Sequence, residues 1–242
     1  MIPSDDRGLT LGDGLFETVL WEDGRLHLWA EHYARLARGC AALGLRAPDA
    51  GQALSAMLDA ARALNGVRGA VRLTWSAGSG GRGLDRPEPV LPRMVVTAAA
   101  ATAPTAPARL VTASTRRNEG SLASRLKTLS YLDSVLARRE ALAAGADEAV
   151  MLNNRGEVAC AAAANLFWMR DGVLHTPALD CGVLDGLIRA RMIERYDARE
   201  VRAGLDALRA ADALYLTNSL IGVRPVGGLD GRPVPLGPRL DV

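Results

Sequence analysis

The chain has 242 residues, 49% of them hydrophobic and 23% charged, with a formal net charge of +2 at pH 7. That balance fits a globular protein with room for one large or two modest domains. It argues against a dedicated nucleic-acid binder, since no basic run accompanies the small charge, and no apolar stretch reaches the roughly 20 residues of a membrane-spanning helix.

Taken in chain order, Leu15 to Trp21 reads as a strand, Glu22-Asp23-Gly24 as a hairpin turn and Arg25 to Leu28 as the returning strand. Helices are expected from about Ala30 to Leu43, with Gly44 as the stop, and from about Asp49 to Leu64. Val71 to Trp75 is a strand, followed by Ala77-Gly78-Ser79-Gly80-Gly81-Arg82-Gly83, which is too glycine-rich for a regular element. Met94 to Thr97 and Leu110 to Ala113 are further strands, with Ala98 to Pro107 expected as a loop between them. Ser130 caps an expected helix that Gly145 closes. Glu148 to Leu152 with Glu157 to Ala159, and Asn165 to Met169 with Val173 to His175, read as two hairpins. A helix over Asp185 to Tyr196 and strands over Ala213 to Leu216 and Gly222 to Val226 complete the pattern. Helices mixed with sheet in two unequal halves give an α/β (α+β) class, with a smaller domain over residues 1–118 and a larger one over 119–242.

Three cysteines, Cys40, Cys160 and Cys181, are widely spaced with no CxxC pair, and the three histidines are scattered. This suits reduced thiols in a cytoplasm and offers no metal cluster. The opening Met-Ile-Pro-Ser-Asp-Asp lacks the apolar core of a signal peptide.

One residue stands apart. Lys127 is the only lysine among 29 Lys+Arg, so the other 28 basic residues are arginine (29 minus one). Arginine replaces lysine wherever a positive charge suffices, but not where a primary amine must deprotonate and attack a carbonyl.

Several motifs surround it: Asp6-Arg7-Gly8, Gly12-Asp13-Gly14-Leu15-Phe16-Glu17-Thr18, His32-Tyr33-Ala34-Arg35-Leu36 and Leu126-Lys127-Thr128-Leu129-Ser130-Tyr131-Leu132. Ala164-Asn165-Leu166-Phe167, Thr176-Pro177, Leu184-Asp185-Gly186-Leu187-Ile188-Arg189 and Leu216-Thr217-Asn218-Ser219-Leu220 follow. Together, in this order, they resemble the fold-type IV pyridoxal-phosphate enzymes, which include D-amino-acid and branched-chain aminotransferases and aminodeoxychorismate lyases. The resemblance implies that architecture, pyridoxal 5'-phosphate as cofactor and a homodimer acting on a small molecule. It casts Lys127 as the Schiff-base lysine and proton carrier, and Arg35 as the grip on the cofactor phosphate. The helix start Gly186-Leu187-Ile188 and Ser219 stand at further phosphate-side positions, and Tyr131 stands near the ring hydroxyl. Many relatives have threonine where this chain has Ile188.

The family's glutamate at the pyridine nitrogen lies five residues before the asparagine of Asn-Leu-Phe, and here that position is Cys160. Glu157, three residues away, would face the other side of a strand and does not inherit the role. A thiol with a reference pKa of about 8.5 is a weak substitute for a carboxylate. An elimination should tolerate that better than a transamination. The Gly-rich Ser76 to Gly83 loop and the Thr217 to Val226 segment are similar to those of the aminodeoxychorismate lyases, with Arg82, Asn218 and Arg224 as candidate substrate contacts. The expected reaction is therefore the lyase reaction that yields 4-aminobenzoate. An aminotransferase, or a cofactor-binding protein with altered activity, stands as the alternative.

Overall fold

The computed structural model describes residues 2–242. By packing, the chain forms two units: Met1–Thr102 with Leu126–Ser130, and Ala103–Arg125 with Tyr131–Val242. This differs from the boundary expected at residue 118, and the reason is strand pairing. The segment from Ala103 onward pairs with later strands, whereas the short stretch around Lys127 returns to the first sheet.

The first unit begins with helix α1 (Arg7–Leu11), capped by the Asp6 side chain on the Gly8 amide, an element the sequence reading passed over. It continues with β1 (Gly14–Glu22), β2 (Arg25–Leu26), α2 (Trp29–Ala42), α3 (Ala50–Arg62), β3 (Gly69–Ser76) and β4 (Arg93–Ala100). The expected return strand to Leu28 stops at Leu26, because Leu28 has φ of 56° and leads into α2. β4 runs three residues further than expected, to Ala100. The sheet order is β2-β1-β3-β4, antiparallel throughout. Alternation decides its faces. Leu15, Val19, Val71 and Leu73 point toward α2 and α3, whose Leu36, Cys40, Ala53 and Met57 complete one core. Phe16, Thr18, Arg72, Thr74, Val95 and Thr97 lie on the other face by register.

The second unit contains β5 (Ala108–Thr112), α4 (Leu122–Arg125), α5 (Leu132–Ala143), β6 (Glu148–Leu152), β7 (Val158–Ala161), β8 (Asn165–Arg170) and β9 (Val173–Pro177). α6 (Leu187–Tyr196), β10 (Arg199–Val201), α7 (Leu205–Arg209), β11 (Ala213–Asn218), β12 (Gly222–Leu229) and β13 (Arg232–Pro233) follow. Eight strands run in the order β10-β9-β8-β11-β12-β5-β6-β7, and β13 pairs with β12. β6 is buried at all five positions and feeds two cores. Val150 and Leu152 join Leu166, Trp168, Leu214 and Leu216 on one side. Ala149 and Met151 meet Cys160 and the small face of α5, Ala137 and Ala141, on the other. Ser130 does not cap α5: the cap position is Tyr131, and no side chain bonds there. The architecture is the mixed α/β class expected. No helix among the described residues is long and apolar enough to cross a membrane.

Candidate active site

The first unit places Lys127 by main-chain pairing. The Phe16 amide donates to the Lys127 carbonyl at 2.9 Å, and the Leu129 amide donates to the Gly14 carbonyl at 3.0 Å. Leu15 pairs with Thr128 in an antiparallel bridge. The segment thus extends the sheet along the edge of β1, and pairing puts the Lys127 side chain on the face of Phe16. Its Nζ lies 4.3 Å from the centre of the Phe16 ring. The guanidinium of Arg72, on β3, lies 3.7 Å from the centre of the same ring. Two cations therefore share one of only two phenylalanines in the chain. Sequence reasoning missed Arg72. Its signal was a lone charge between Val71 and Leu73 in a strand whose alternate residues are core.

Arg35 approaches from the other face. Glu17 is 1% exposed and pairs in register with Leu73, on the α2 side. Arg35 Nε donates to Glu17 Oε1 at 2.8 Å and Nη2 to Oε2 at 2.6 Å, while His32 Nδ1 donates to Oε2 at 2.7 Å. Burial alone would raise the Glu17 carboxyl, but hydrogen bonds from Arg35 and His32 outweigh it and hold the group down at about 2. The pair fixes the orientation of Arg35. Within this unit Lys127 and Arg35 stand on opposite faces of the sheet.

The remaining motif residues of the first unit hold the Gly-rich loop. Arg7, buried, donates to Asp13 at 2.9 Å and to the carbonyls of Asp85 and Leu84, both at 2.8 Å. Arg86 donates to both oxygens of Asp13 and to the Leu43 carbonyl. Arg86 and Arg7 depress the Asp13 pKa against its partial burial. Gly78 has φ of 78°, and a Cβ there would lie 1.9 Å from the Leu91 carbonyl oxygen. Arg82 projects from this braced loop into solvent and has no hydrogen-bond or ion-pair partner among the described residues.

In the second unit, α6 begins at Gly186 with no side-chain cap, leaving the first-turn amides of Leu187 and Ile188 without a capping acceptor. Asn165 braces this start: its Nδ2 donates to the Leu184 carbonyl at 3.0 Å, and its Oδ1 crowds Gly186. Arg189 is 2% exposed and ties the helix to the Pro177 carbonyl at 3.0 Å and to Glu200. Thr217 pairs with Asn165 in register, is fully buried, and its Oγ1 has no partner. An uncapped helix start with a buried, unsatisfied hydroxyl on the neighbouring strands suits a phosphate. Sequence reasoning chose Ser219 and passed over Thr217, two residues earlier and buried. Ser219 itself is half-buried just past β11. Ile188 is buried, and its side chain carries no hydrogen-bond donor.

A Cβ at position 186 would stand 2.0 Å from Asn165 Oδ1. Gly186→Ala is therefore expected to destabilise the protein by about 1–3 kcal/mol as the helix start or Asn165 shifts. Denaturant midpoints of the two proteins check this.

Other candidates are engaged elsewhere. Asn218 Oδ1 accepts from the Leu220 and Ile221 amides at 2.9 Å, and its Nδ2 donates to the Ala163 carbonyl at 3.0 Å, so the side chain shapes the turn after β11. Arg224 Nε donates to the Ala106 carbonyl at 3.0 Å, with Asp147 3.7 Å away. Glu157 binds Asn153 at 2.7 Å and Arg155 at 2.9 Å. Tyr131 is half-buried at the start of α5. Cys160 is 7% exposed, and burial pushes its thiol up against an opposing pull from Arg117. Cys40, Cys160 and Cys181 are all unpaired.

The amino-transferase class IV family model matches residues 14–229. This chain belongs to the class IV aminotransferase family. Its enzymes depend on pyridoxal phosphate, and within the second unit the uncapped α6 start and the buried Thr217 hydroxyl fit its phosphate. The chain is similar to the D-alanine aminotransferase of Listeria innocua, with 32% identity over 97% of this chain and 84% of the relative. It is also similar to the aminodeoxychorismate lyase of Bacillus subtilis, with 30% identity over 91% of this chain and 78% of that protein. The crystal structure of 4-amino-4-deoxychorismate lyase from Pseudomonas aeruginosa superposes with a TM-score of 0.85 at 32% identity, covering 98% of this chain and 91% of that one. Relatives with different reactions stand at similar identity, 32% and 30%, so identity fixes the cofactor class and not the reaction.

Proposed function

We propose that this class IV enzyme is a lyase that converts 4-amino-4-deoxychorismate to 4-aminobenzoate and pyruvate. What supports the reading is the buried thiol of Cys160, which by its spacing from Asn165 takes the place the resemblance gives to a carboxylate. Bound pyridoxal phosphate supplies a sink for the electron pair left when a proton departs from the substrate's α-carbon. A neutral, buried thiol makes that sink shallow. Transamination must hold the electron pair long enough to reprotonate it elsewhere. Elimination discharges it at once into the breaking C–O bond, and aromatisation of the ring adds driving force.

Lys127, the sole lysine, carries the cofactor and takes the α-proton once the substrate amine displaces it. The C–O bond to the enolpyruvyl group then breaks, the ring becomes aromatic, and the departing enolpyruvate gains a proton to become pyruvate. A phosphate would suit Arg35 in the first unit, and in the second the α6 start with Thr217 and Ser219. Arg72 presents a guanidinium on the face of Lys127, suited to a substrate carrying two carboxylates.

Incubation of the purified, cofactor-loaded protein with 4-amino-4-deoxychorismate is expected to release 4-aminobenzoate and pyruvate in equal amounts. Absence of 4-aminobenzoate, together with 2-oxoglutarate-dependent turnover of D-alanine or a branched-chain amino acid, would sink the lyase reading in favour of an aminotransferase.

A further inference from the structure

The second sheet brings a cation to the face that carries the thiol. Arg117 bridges Asn153 in parallel and Met151 pairs with Cys160, so Arg117, Met151 and Cys160 share one face of the strands around β6. Arg117 is 6% exposed. Its Nε donates to the Gly182 carbonyl at 3.1 Å and its Nη2 to the Ser124 carbonyl at 2.6 Å. Neither partner is anionic, and among the described residues Arg117 forms no ion pair. A buried guanidinium without a carboxylate is unusual, because carbonyl dipoles offset only part of its desolvation.

The ionisable groups that act on the Cys160 thiol are Arg117 and Glu148. Glu148 is itself buried at the start of β6, and desolvation pushes its carboxyl up against the amides of residues 149, 162 and 163 and the charge of Arg138. The surroundings therefore hold one fixed positive charge, a neutral thiol, and a carboxylate drawn toward its neutral form.

We propose that Arg117 and Cys160 act as a pair that keeps the ring nitrogen of the cofactor unprotonated, the thiol donating its S–H and the guanidinium opposing a second positive charge. This rests on the reading of Cys160 as the residue that faces that nitrogen. A like charge a few ångströms away lowers a basic group's pKa by about one to three units, a ten- to thousandfold bias. A glutamate at position 160 would neutralise Arg117 and favour the protonated ring. The chain has a neutral side chain there and retains the cation. Arg117 is thus a positioning residue for the electron sink, and the pair extends the preference for elimination from one substitution to a matched set.

The test is nitrogen NMR of isotope-labelled pyridoxal phosphate bound to the intact protein, which distinguishes protonated from unprotonated ring nitrogen without any turnover. At neutral pH the wild-type nitrogen is expected in the unprotonated range. Cys160→Ser should leave it there, and Cys160→Glu should move it to the protonated range. Arg117→Gln should raise the nitrogen's titration midpoint by about one to three units. A protonated nitrogen in the wild type, or one unprotonated in Cys160→Glu, overturns the proposal, and the second comparison stands even if Arg117→Gln fails to fold. Failure of the lyase reading looks different: the nitrogen would respond to the variants as stated while 4-amino-4-deoxychorismate gave no 4-aminobenzoate.

Discussion

Lys127→Ala is expected to abolish covalent cofactor attachment and to lower turnover by at least about a thousandfold, a barrier increase of roughly 4 kcal/mol. No second lysine exists to take over, because Lys127 is alone in the sequence. Borohydride reduction followed by mass measurement should find the cofactor mass on the wild-type chain and not on the variant. The fold should survive. Lys127 is held by its main chain, through the Phe16 amide and the Leu15–Thr128 bridge, and alanine keeps both. The approach of the Lys127 amine to the Phe16 ring is worth about 0.5–1 kcal/mol at a partly exposed site. A variant that folds, retains reducible cofactor and turns over normally would remove Lys127 from the mechanism.

Glu17→Gln is expected to cost the most stability of any single change near the site, about 3–5 kcal/mol, because it leaves the Arg35 guanidinium without its counter-charge. The pH dependence has a definite sign. The folded-state carboxyl sits at about 2 against an ordinary value of 4.5, so its stabilising contribution is fully present above about pH 4.5. It is lost as the pH falls from 4.5 toward 2, and amounts to roughly 3 kcal/mol at neutrality. Wild type and Glu17→Gln should differ widely in denaturant midpoint at neutral pH and converge across that acid window. A constant gap at all pH values would show that the carboxylate charge is not the source. If Arg35 grips the cofactor phosphate as proposed, the variant should also weaken cofactor binding, since Glu17 fixes the Arg35 guanidinium.

Much of this was written locally. The period-two pattern around Val71 and Leu73 and the Asp23-Gly24 turn announce the first sheet, since alternation and left-handed turn residues are properties of short stretches. The rarity of Lys127 likewise needs no coordinates. Errors cluster where distant pairing overrides local signals. Ala98 to Ala100 read as loop but extend β4, because β3 supplies partners as far as Gly69. Ser130 read as a helix cap, yet the helix begins at Leu132, and the residues up to Ser130 pack with the first unit.

The candidate site divides the same way. The sequence alone determined the family, and it singled out Lys127 and Cys160 as the residues on which the proposed chemistry rests, because each depends on which residue occupies which motif position. Only the tertiary structure decided that Arg72 shares the Phe16 ring with Lys127, that Glu17 orients Arg35, that Asn218 and Arg224 are engaged in structural bonds, and that Arg117 stands buried on the strand face that bears Cys160. Glu17 and Arg35 lie 18 residues apart along the chain, and Arg224 and Ala106 lie 118 apart. Charge and hydrogen bonding act over a few ångströms of space, and strand register, not chain position, sets which side chains fall within that reach.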